Sequence, residues 1–440
     1  MKSFRIAVLI FAWTCLCPKI SIAQPAEMFE RITKKLFNED LFATGIASPA
    51  ITDIFLLEAR EAFLNIRKLI TTNVASFPLT STIAGVTIDL QTGVPELITE
   101  SLGPIFGERA ETIGKGKFYF GLNYSSYNLS EFRGLPIEDF QLTITIDANR
   151  NGLLGGSNPN DLIDNDTIDF FPGLKLNAGT FVFYSTYGLT HNLDVGVAVP
   201  WINLNLNGTA KAVINSITLI QLGQAVFNYN DNVLNPQLTD TVDYESSVSG
   251  IGDIALRLKY SFAQGSGLNF ATFMEYRFPT GNEENFLGTG EPSAKFSAFF
   301  SKKIGNFNPH INIGYDRRWA NNDSDEFEFL VGFDQKLTNG ITFALDIIGE
   351  IDLQSDEAIN ILPGTKTITR TRFPGQASYE EIINRSNIPV ADYDHLFNAA
   401  IGFKIAPSDR LLFLGNALVP LNNGGIRSNI IPTFGISIIL

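Results

Sequence analysis

Between residues 193 and 440 the chain breaks into ten segments that alternate apolar and polar side chains, each about ten residues long, joined by connections of two unequal kinds. They begin near Leu193, Ser249, Gly267, Glu291, Asn308, Asp325, Ile341, Asp392, Arg410 and Ile426. Connections at 190–192, 263–267, 305–308, 338–340 and 407–410 are tight, whereas 207–247, 280–290 and 354–391 are long or polar. Successive strand residues face opposite sides, so one face can meet lipid while the other meets water. Tight turns at one end and long loops at the other fit an up-and-down barrel with one rim in a confined compartment. The expected class is an all-β outer-membrane barrel of antiparallel strands.

The faces can be assigned where alternation is clean. Leu268, Phe270, Thr272, Met274, Tyr276 and Phe278 oppose Asn269, Ala271, Phe273, Glu275 and Arg277. Ile254, Leu256, Leu258, Tyr260 and Phe262 oppose Asp253, Ala255, Arg257, Lys259 and Ser261. Ile341, Phe343, Leu345, Ile347 and Ile351 oppose Thr342, Ala344, Asp346, Glu350 and Asp352. A charge on the lipid face costs about 2–4 kcal/mol at the bilayer midplane, so these charges belong in the lumen. Asp253, Arg257, Lys259, Glu275, Arg277, Asp346 and Glu350 are therefore the candidate selectivity residues, with both signs present and cross-strand pairing expected. Segments 117–129 and 174–187 bring the count to twelve strands, with fourteen as the alternative if 82–91 and 96–101 also join. Trp201 and Trp319 are placed near the long-loop ends, where interfacial rings belong.

The amino terminus gives the address. Lys2 and Arg5 precede the apolar run 6–16, and Ser21-Ile22-Ala23 predicts cleavage before Gln24, making residues 1–23 a signal peptide. Cys15 and Cys17 fall inside it, so no disulfide framework is expected after cleavage. Loss of Lys2, Arg5 and Lys19 leaves 29 basic against 46 acidic residues, a net charge of −17, which argues against a nucleic-acid partner. With 45% hydrophobic residues and 36 Phe, the chain still has no run after Ala23 long enough for a spanning helix, as lipid-facing strands require.

Residues 24–110 read differently. Ser48-Pro49 reads as a helix start, and Ile51, Phe55, Ala59, Ala62, Ile66 and Leu69 recur at helical spacing over 49–72. A shorter helix carries Phe29, Ile32 and Leu36. Such a module, ahead of a barrel over 111–440, is expected to plug the lumen or cover its periplasmic mouth.

Catalytic signals are sparse. His191 and His310 fall on the predicted periplasmic rim, and His395 follows Asp394 near the outer rim. Neighbours in a strand point to opposite faces, so that pair is badly disposed for acid–base work. No Ser elbow, HExxH or Cys-bearing zinc pattern occurs, and an enzyme is not expected. The turn at Asp147, Asn149, Asn151 and Gly152 matches the first half of a calcium loop, but Asn158 stands where the bidentate Glu belongs. Asp161, Asp164, Asp166 and Asp169 could supply carboxylates. Calcium is the one metal candidate, a bare polar turn the alternative, and no other cofactor is expected.

Several stretches are familiar: residues 103–117 (GPIFGERAETIGKGK), Ser249-Gly-Ile-Gly-Asp253 running to Arg257, Arg277-Phe-Pro-Thr-Gly281 running to Gly290, and Pro309-His-Ile-Asn-Ile-Gly-Tyr315. They resemble the outer-membrane barrels of the phenol-degradation MetA-pathway family. The resemblance spans 103–440 and implies a Gram-negative outer-membrane, porin-like barrel that carries small, hydrophobic or aromatic compounds. It brings no catalytic residues. The expected function is passive passage through a charged lumen; the alternatives are a structural or adhesive barrel whose outer loops bind ligands, and a rim enzyme. Expected partners are outer-membrane lipid and lipopolysaccharide, a small-molecule solute and the barrel-assembly machinery.

Overall fold

The computed structural model describes residues 25–43, 52–75, 86–89, 95–97, 102, 104, 106–145, 165–265, 267–319, 324–355, 358–370, 377, 379–408 and 411–438. The predicted signal peptide and the turn bearing Asp147, Asn149 and Asn151 lie outside them, as do Asp161 and Asp164. Two helices, α1 (Pro25–Lys34) and α2 (Thr52–Ala75), precede the sheet. The barrel strands are β1 (Lys117–Leu129), β2 (Leu174–Gly188), β3 (Leu193–Asn215), β4 (Thr239–Ile251, resuming as Ile254–Ala263), β5 (Leu268–Phe278), β6 (Ser293–Lys302), β7 (Phe307–Arg318), β8 (Glu326–Thr338), β9 (Ile341–Asp352), β10 (Leu396–Ser408), β11 (Leu411–Pro420) and β12 (Ile431–Ile438). Each pairs antiparallel with its sequence neighbour, and β12 closes on β1 through Thr433 opposite Ser125 and Gly435 opposite Asn123. The twelve-strand barrel is therefore closed and has no free edge.

The fourteen-strand alternative fails for a simple reason. Val86–Asp89 and Pro95–Leu97 form a small hairpin that touches β1 through Ile88 and Asp89 alone, while β1 and β12 pair without it. The predicted long loop 207–247 is also corrected. Strand β3 continues to Asn215 and β4 starts at Thr239. Alternation persists there, but Asn203, Asn205, Asn207 and Lys211 now face outward into water, while Leu204, Leu206, Ala210 and Ile214 stay buried. A strand wetted on its outer face reads as loop. Part of the connection between β1 and β2 is sheet as well: Leu142–Thr145 pairs with Thr167–Phe171, which pairs in turn with Lys211–Asn215 of β3.

Helices α1 and α2 lie at the long-loop end, not over the periplasmic mouth. Their apolar stripe meets side chains supplied by the long connections. Phe55 stacks edge-on against Phe227 at 5.2 Å, Phe63 lies 5.2 Å from Phe170, and Phe29 lies 6.0 Å from Phe286. Ile359, Ile361, Ile388 and Ile426 complete the same core. These partners are dispersed along the sequence from 170 to 426, so no local pattern marks the docking face. A buried carboxylate fixes α2: Glu58 accepts the backbone N–H of Thr145 (2.9 Å) and pairs with Arg385 (3.2 Å).

Candidate functional site: the barrel lumen

The outer face of the barrel is an apolar belt. Leu268, Met274 and Phe278 on β5, Ile311 and Ile313 on β7, and Ile401, Phe403 and Ile405 on β10 are all exposed. Ten residue steps from Leu268 to Phe278 rise roughly 34 Å along the strand, or roughly 26 Å after a tilt of about 40°, the height of a bilayer core. Toward the short turns, rings stack into a girdle: Phe262, Phe270 and Phe300 at 5.3 and 5.0 Å, then Phe307 against Phe333 and Phe343 against Phe403. On β3 the belt ends at Trp201, paired with Ile251; beyond it Asn203 begins the wetted stretch. Trp201 thus marks the outer lipid boundary from mid-strand rather than from the strand end.

Inside, one half of the wall is charged. A single cross-strand row runs from Arg257 to Glu275, Lys295, Asp316, Glu326 and Asp352 on β4 through β9. Glu275 is held by Arg257 and by Arg277, each at 2.7 Å. Lys295 binds Glu328 at 2.6 Å, and Arg318 binds Glu326 at 2.7 Å with Asp316 at 3.6 Å. Of the predicted lumen residues, Arg257, Glu275 and Arg277 come together here and Lys259 joins Glu108 at 3.1 Å. Asp346 binds His310 at 2.9 Å, lower in the barrel. Asp253 is elsewhere: its carboxylate accepts the N–H groups of Gly281 and Thr289 and clamps the β5–β6 loop. Glu350 faces the lumen beyond Glu328, its register partner. Sequence reasoning did not single out Lys295, Asp316, Arg318, Glu326, Glu328 and Asp334, although their strands carry the same alternation.

The opposite half of the wall is neutral. Tyr119, Ser125, Tyr127, Thr180, Tyr184, Asn416, Thr433 and Ser437 are buried there with Val182, Leu412 and Leu418. Hydroxyls link the strands, as in Ser125 to Thr433 and Tyr119 to Ser437, both at 2.8 Å. A solute crossing the lumen has ion pairs on one side and rings and hydroxyls on the other.

Residues 102, 104 and 106–116 cross the lumen at the short-turn end as a strap, meeting nearly every strand from β9 back to β2. Leu102 N–H donates to Thr342 (3.0 Å), and those of Phe106 and Gly107 to Asp346 (3.3 Å each). Arg109 donates Nε–H to Asp334 Oδ1 at 3.0 Å and pairs with the second oxygen as well. Ala110 N–H reaches Ser301, Glu111 accepts from Asn269, Ile113 N–H reaches Asp194, and Gly116 N–H reaches Gly188 O. Gly107 is required by this path, since a Cβ there would lie 2.5 Å from His310 Nε2. His310, expected on the rim, is thus fully buried beneath the strap. The strap coincides with the stretch 103–117 that carried the family resemblance.

Among the described residues, two cavities lie in the lumen. The lower, about 100 Å³, lies between Phe106, Glu275, Arg277, Lys295, Phe299 and Glu328. The upper, about 130 Å³, is lined by Leu69 of α2, Tyr127, Glu326, Leu418, Arg427 and others below the long loops. Glu350 lines both, at their junction. Arg427 donates to Asn398 at 3.0 Å and to Asn422, and burial lowers its pKa below the usual guanidinium value. Asp316, Glu326 and Glu328 place carboxylate oxygens within 4.8 Å of one another, yet Arg318 and Lys295 already sit among them. The rim pair does not cooperate: Asp394 holds Arg133 at 2.7 Å, whereas His395 Nδ1 accepts the N–H of Asp352 at 3.1 Å. His191 is exposed in its turn.

Comparison with known proteins gives one family. The model of the family described as "Putative MetA-pathway of phenol degradation" matches residues 157–409. No curated protein matches the chain. Among solved structures, an outer membrane channel from Pseudomonas putida F1 is similar at 10% identity and a TM-score of 0.41, over 75% of this chain and 97% of that one. A FadL homologue from Pseudomonas aeruginosa is 8% identical with a TM-score of 0.31, over 73% and 89%. The toluene transporter TbuX from Ralstonia pickettii is 11% identical with a TM-score of 0.26, over 74% and 90%.

Proposed function

This chain belongs to the MetA-pathway of phenol degradation family, and from that premise we propose that it is an outer-membrane channel for small molecules. Hydrophobic or aromatic solutes would pass passively along the charged lumen, which the strap and the amino-terminal helices keep closed at rest. One observation carries the reading. A closed barrel with a lipid-facing belt holds two adjoining chambers between a charged wall and a ring- and hydroxyl-bearing one. Such a lumen can desolvate a ring and still meet a polar substituent. Its closures are side-chain and backbone contacts of a non-barrel segment, which can be released without breaking the sheet. The chemistry is that of passage, not turnover. Lipopolysaccharide around the outer belt and insertion by the barrel-assembly machinery belong to the same proposal.

Planar-bilayer recording tests it. The parent protein should conduct in brief, rare openings, and deletion of residues 24–101 should raise single-channel conductance by opening the long-loop mouth. A folded deletion variant with unchanged conductance would remove the helices from the gate. Absence of any solute-dependent current or liposome swelling, in both proteins, would overturn the channel reading.

A further inference from the structure

The upper chamber has a charge pattern that selects its occupant. Every lumen carboxylate described above has a partner except one: among the described residues, no hydrogen bond or ion pair reaches Glu350, while Glu275, Glu326, Glu328, Asp334 and Asp346 are each bound. The cations that act on it electrostatically are Arg318, Lys295 and Arg427. Lys295 serves Glu328, Arg318 serves Asp316 and Glu326, and Arg427 is held through its terminal nitrogens by the amides of Asn398 and Asn422, its Nε buried without a hydrogen bond. With Asp394 neutralised by Arg133, the chamber wall carries three carboxylates (Glu326, Glu350, Asp352) against two guanidinium groups (Arg318, Arg427). An unpaired carboxylate in a partly desolvated cavity is costly, so a positive charge supplied by the solute gains both ion pairing and hydrogen bonding. An anion meets the opposite balance.

The remaining wall sets the body of that solute. Leu69, Leu129, Ile359, Leu418, Ile426 and Ile431 give the chamber an apolar side. Its 130 Å³ is close to the roughly 150 Å³ of an engineered apolar cavity that takes up benzene. We propose that the upper chamber is a binding subsite for a small organic cation, a protonated amine on an apolar body of about one six-membered ring, with its ammonium on Glu350 and its ring against Leu418 and Ile359. The assignment rests on the reading of the lumen as a solute path and narrows it to a substrate class. Glu350 stands where the two chambers meet, so an ammonium held there is positioned to move from the outer chamber to Glu328 and Glu275 below.

Calorimetric titration of the folded, detergent-solubilised full chain tests it, with detergent-only blanks and with folding checked by heat-modifiable gel mobility. Three probes share one ring: cyclohexylammonium, cyclohexanol and cyclohexanecarboxylate. Cyclohexylammonium is expected to bind saturably at one site and the carboxylate not at all. Glu350→Gln should weaken the ammonium about ten- to a hundredfold, the range for a charged hydrogen bond, and bring it level with cyclohexanol. Leu418→Trp, which fills the apolar side and leaves Glu350 in place, should abolish binding of both the ammonium and the alcohol. Equal affinity for the ammonium and the alcohol in the parent, unchanged affinity in Glu350→Gln, or binding that survives Leu418→Trp each overturns the site. Conductance of the same preparation separates the two readings. Binding without passage rejects the channel and leaves the subsite, whereas passage without ammonium binding rejects the subsite alone.

Discussion

Replacing Arg109 by Met should open the channel. Arg109 and Asp334 are 4% and 0% exposed, and the strap owes its central anchor to their two-pronged contact. Loss of the guanidinium deprives the buried Asp334 of its two-pronged partner, while Asn308 Nδ2 at 3.0 Å and His310 Nδ1 at 4.0 Å stay beside it. Breaking one partner of a buried pair costs about 3–5 kcal/mol, and each 1.4 kcal/mol is tenfold in an equilibrium. The cost falls mostly on the docked strap, because undocking lets water reach Asp334. The docked-to-undocked ratio should therefore drop by roughly a hundred- to several-thousandfold, read as a rise in open probability in planar bilayers. The contacts of Asp346, Ser301 and Asp194 still hold the strap's ends, so a short-lived open state is expected rather than a permanent pore. A double variant, Arg109→Met with Asp334→Leu, removes the buried carboxylate along with its guanidinium partner. Since apolar replacement of a whole buried pair is often neutral, it should return to nearly the parent's open probability. If the single variant folds and gates like the parent, or if the double variant is as open as the single, the strap is not the gate.

Reversing the charge at Arg277 and Lys259, partners of Glu275 and Glu108, should shift the reversal potential in a salt gradient toward cation selectivity; identical potentials in variant and parent would refute a selective role for the row. Asp166, in the connection before β2, caps the short helix Ile217–Leu222 through Ile217 N–H at 2.6 Å and Thr218 N–H at 3.0 Å, and burial, outweighing these bonds, pushes its pKa up to about 6. A raised carboxyl pKa stabilises the fold fully below its unfolded value near 3.8, and that increment is lost as pH rises through 6. Melting temperature should fall over that window, and Asp166→Asn should remove this slope, so an unaltered slope in the variant would count against it. If calcium binds Asp147, Asn149 and Asn151, with Asp161 and Asp164 folding back, it should slow protease cleavage within 146–164. Equal rates with calcium and with chelator would exclude the site.

How much of this was legible in the sequence depends on how far apart the interacting residues stand. The strands of the belt were readable because lipid and lumen impose opposite chemistry on alternate positions, as at Leu268–Phe278. Where the outer face meets water instead of lipid, as at Asn207–Lys211, the same alternating geometry passed for loop. The Arg257–Glu275 pair was reachable because the hairpin register is local; the two residues are 18 apart and directly opposed.

The strap lies beyond such reasoning. Residues 106–113 have neither helical nor strand periodicity, since each side chain answers to a different strand of the wall. Arg109 finds Asp334 225 residues away, and Phe106 finds Asp346 240 residues away. What the sequence does contain is a trace of this demand. A segment that packs inside a finished barrel must present its own polar groups to fixed partners, so Gly107, Glu108, Arg109, Ala110 and Glu111 are each constrained singly, without a repeating pattern. Gly107 illustrates the type, with no room for a Cβ against His310. The same logic explains why Asp346 and His310 were visible as candidates while their purpose was not. Their inward direction follows from alternation, but their burial follows from the strap, whose backbone N–H groups complete the coordination of Asp346. A lumen charge read from a strand is thus either part of a wetted wall or an anchor for something inside the barrel. The two are distinguished by whether its partners are side chains of neighbouring strands, as for Glu275, or backbone amides from far along the chain, as for Asp346 and Asp194.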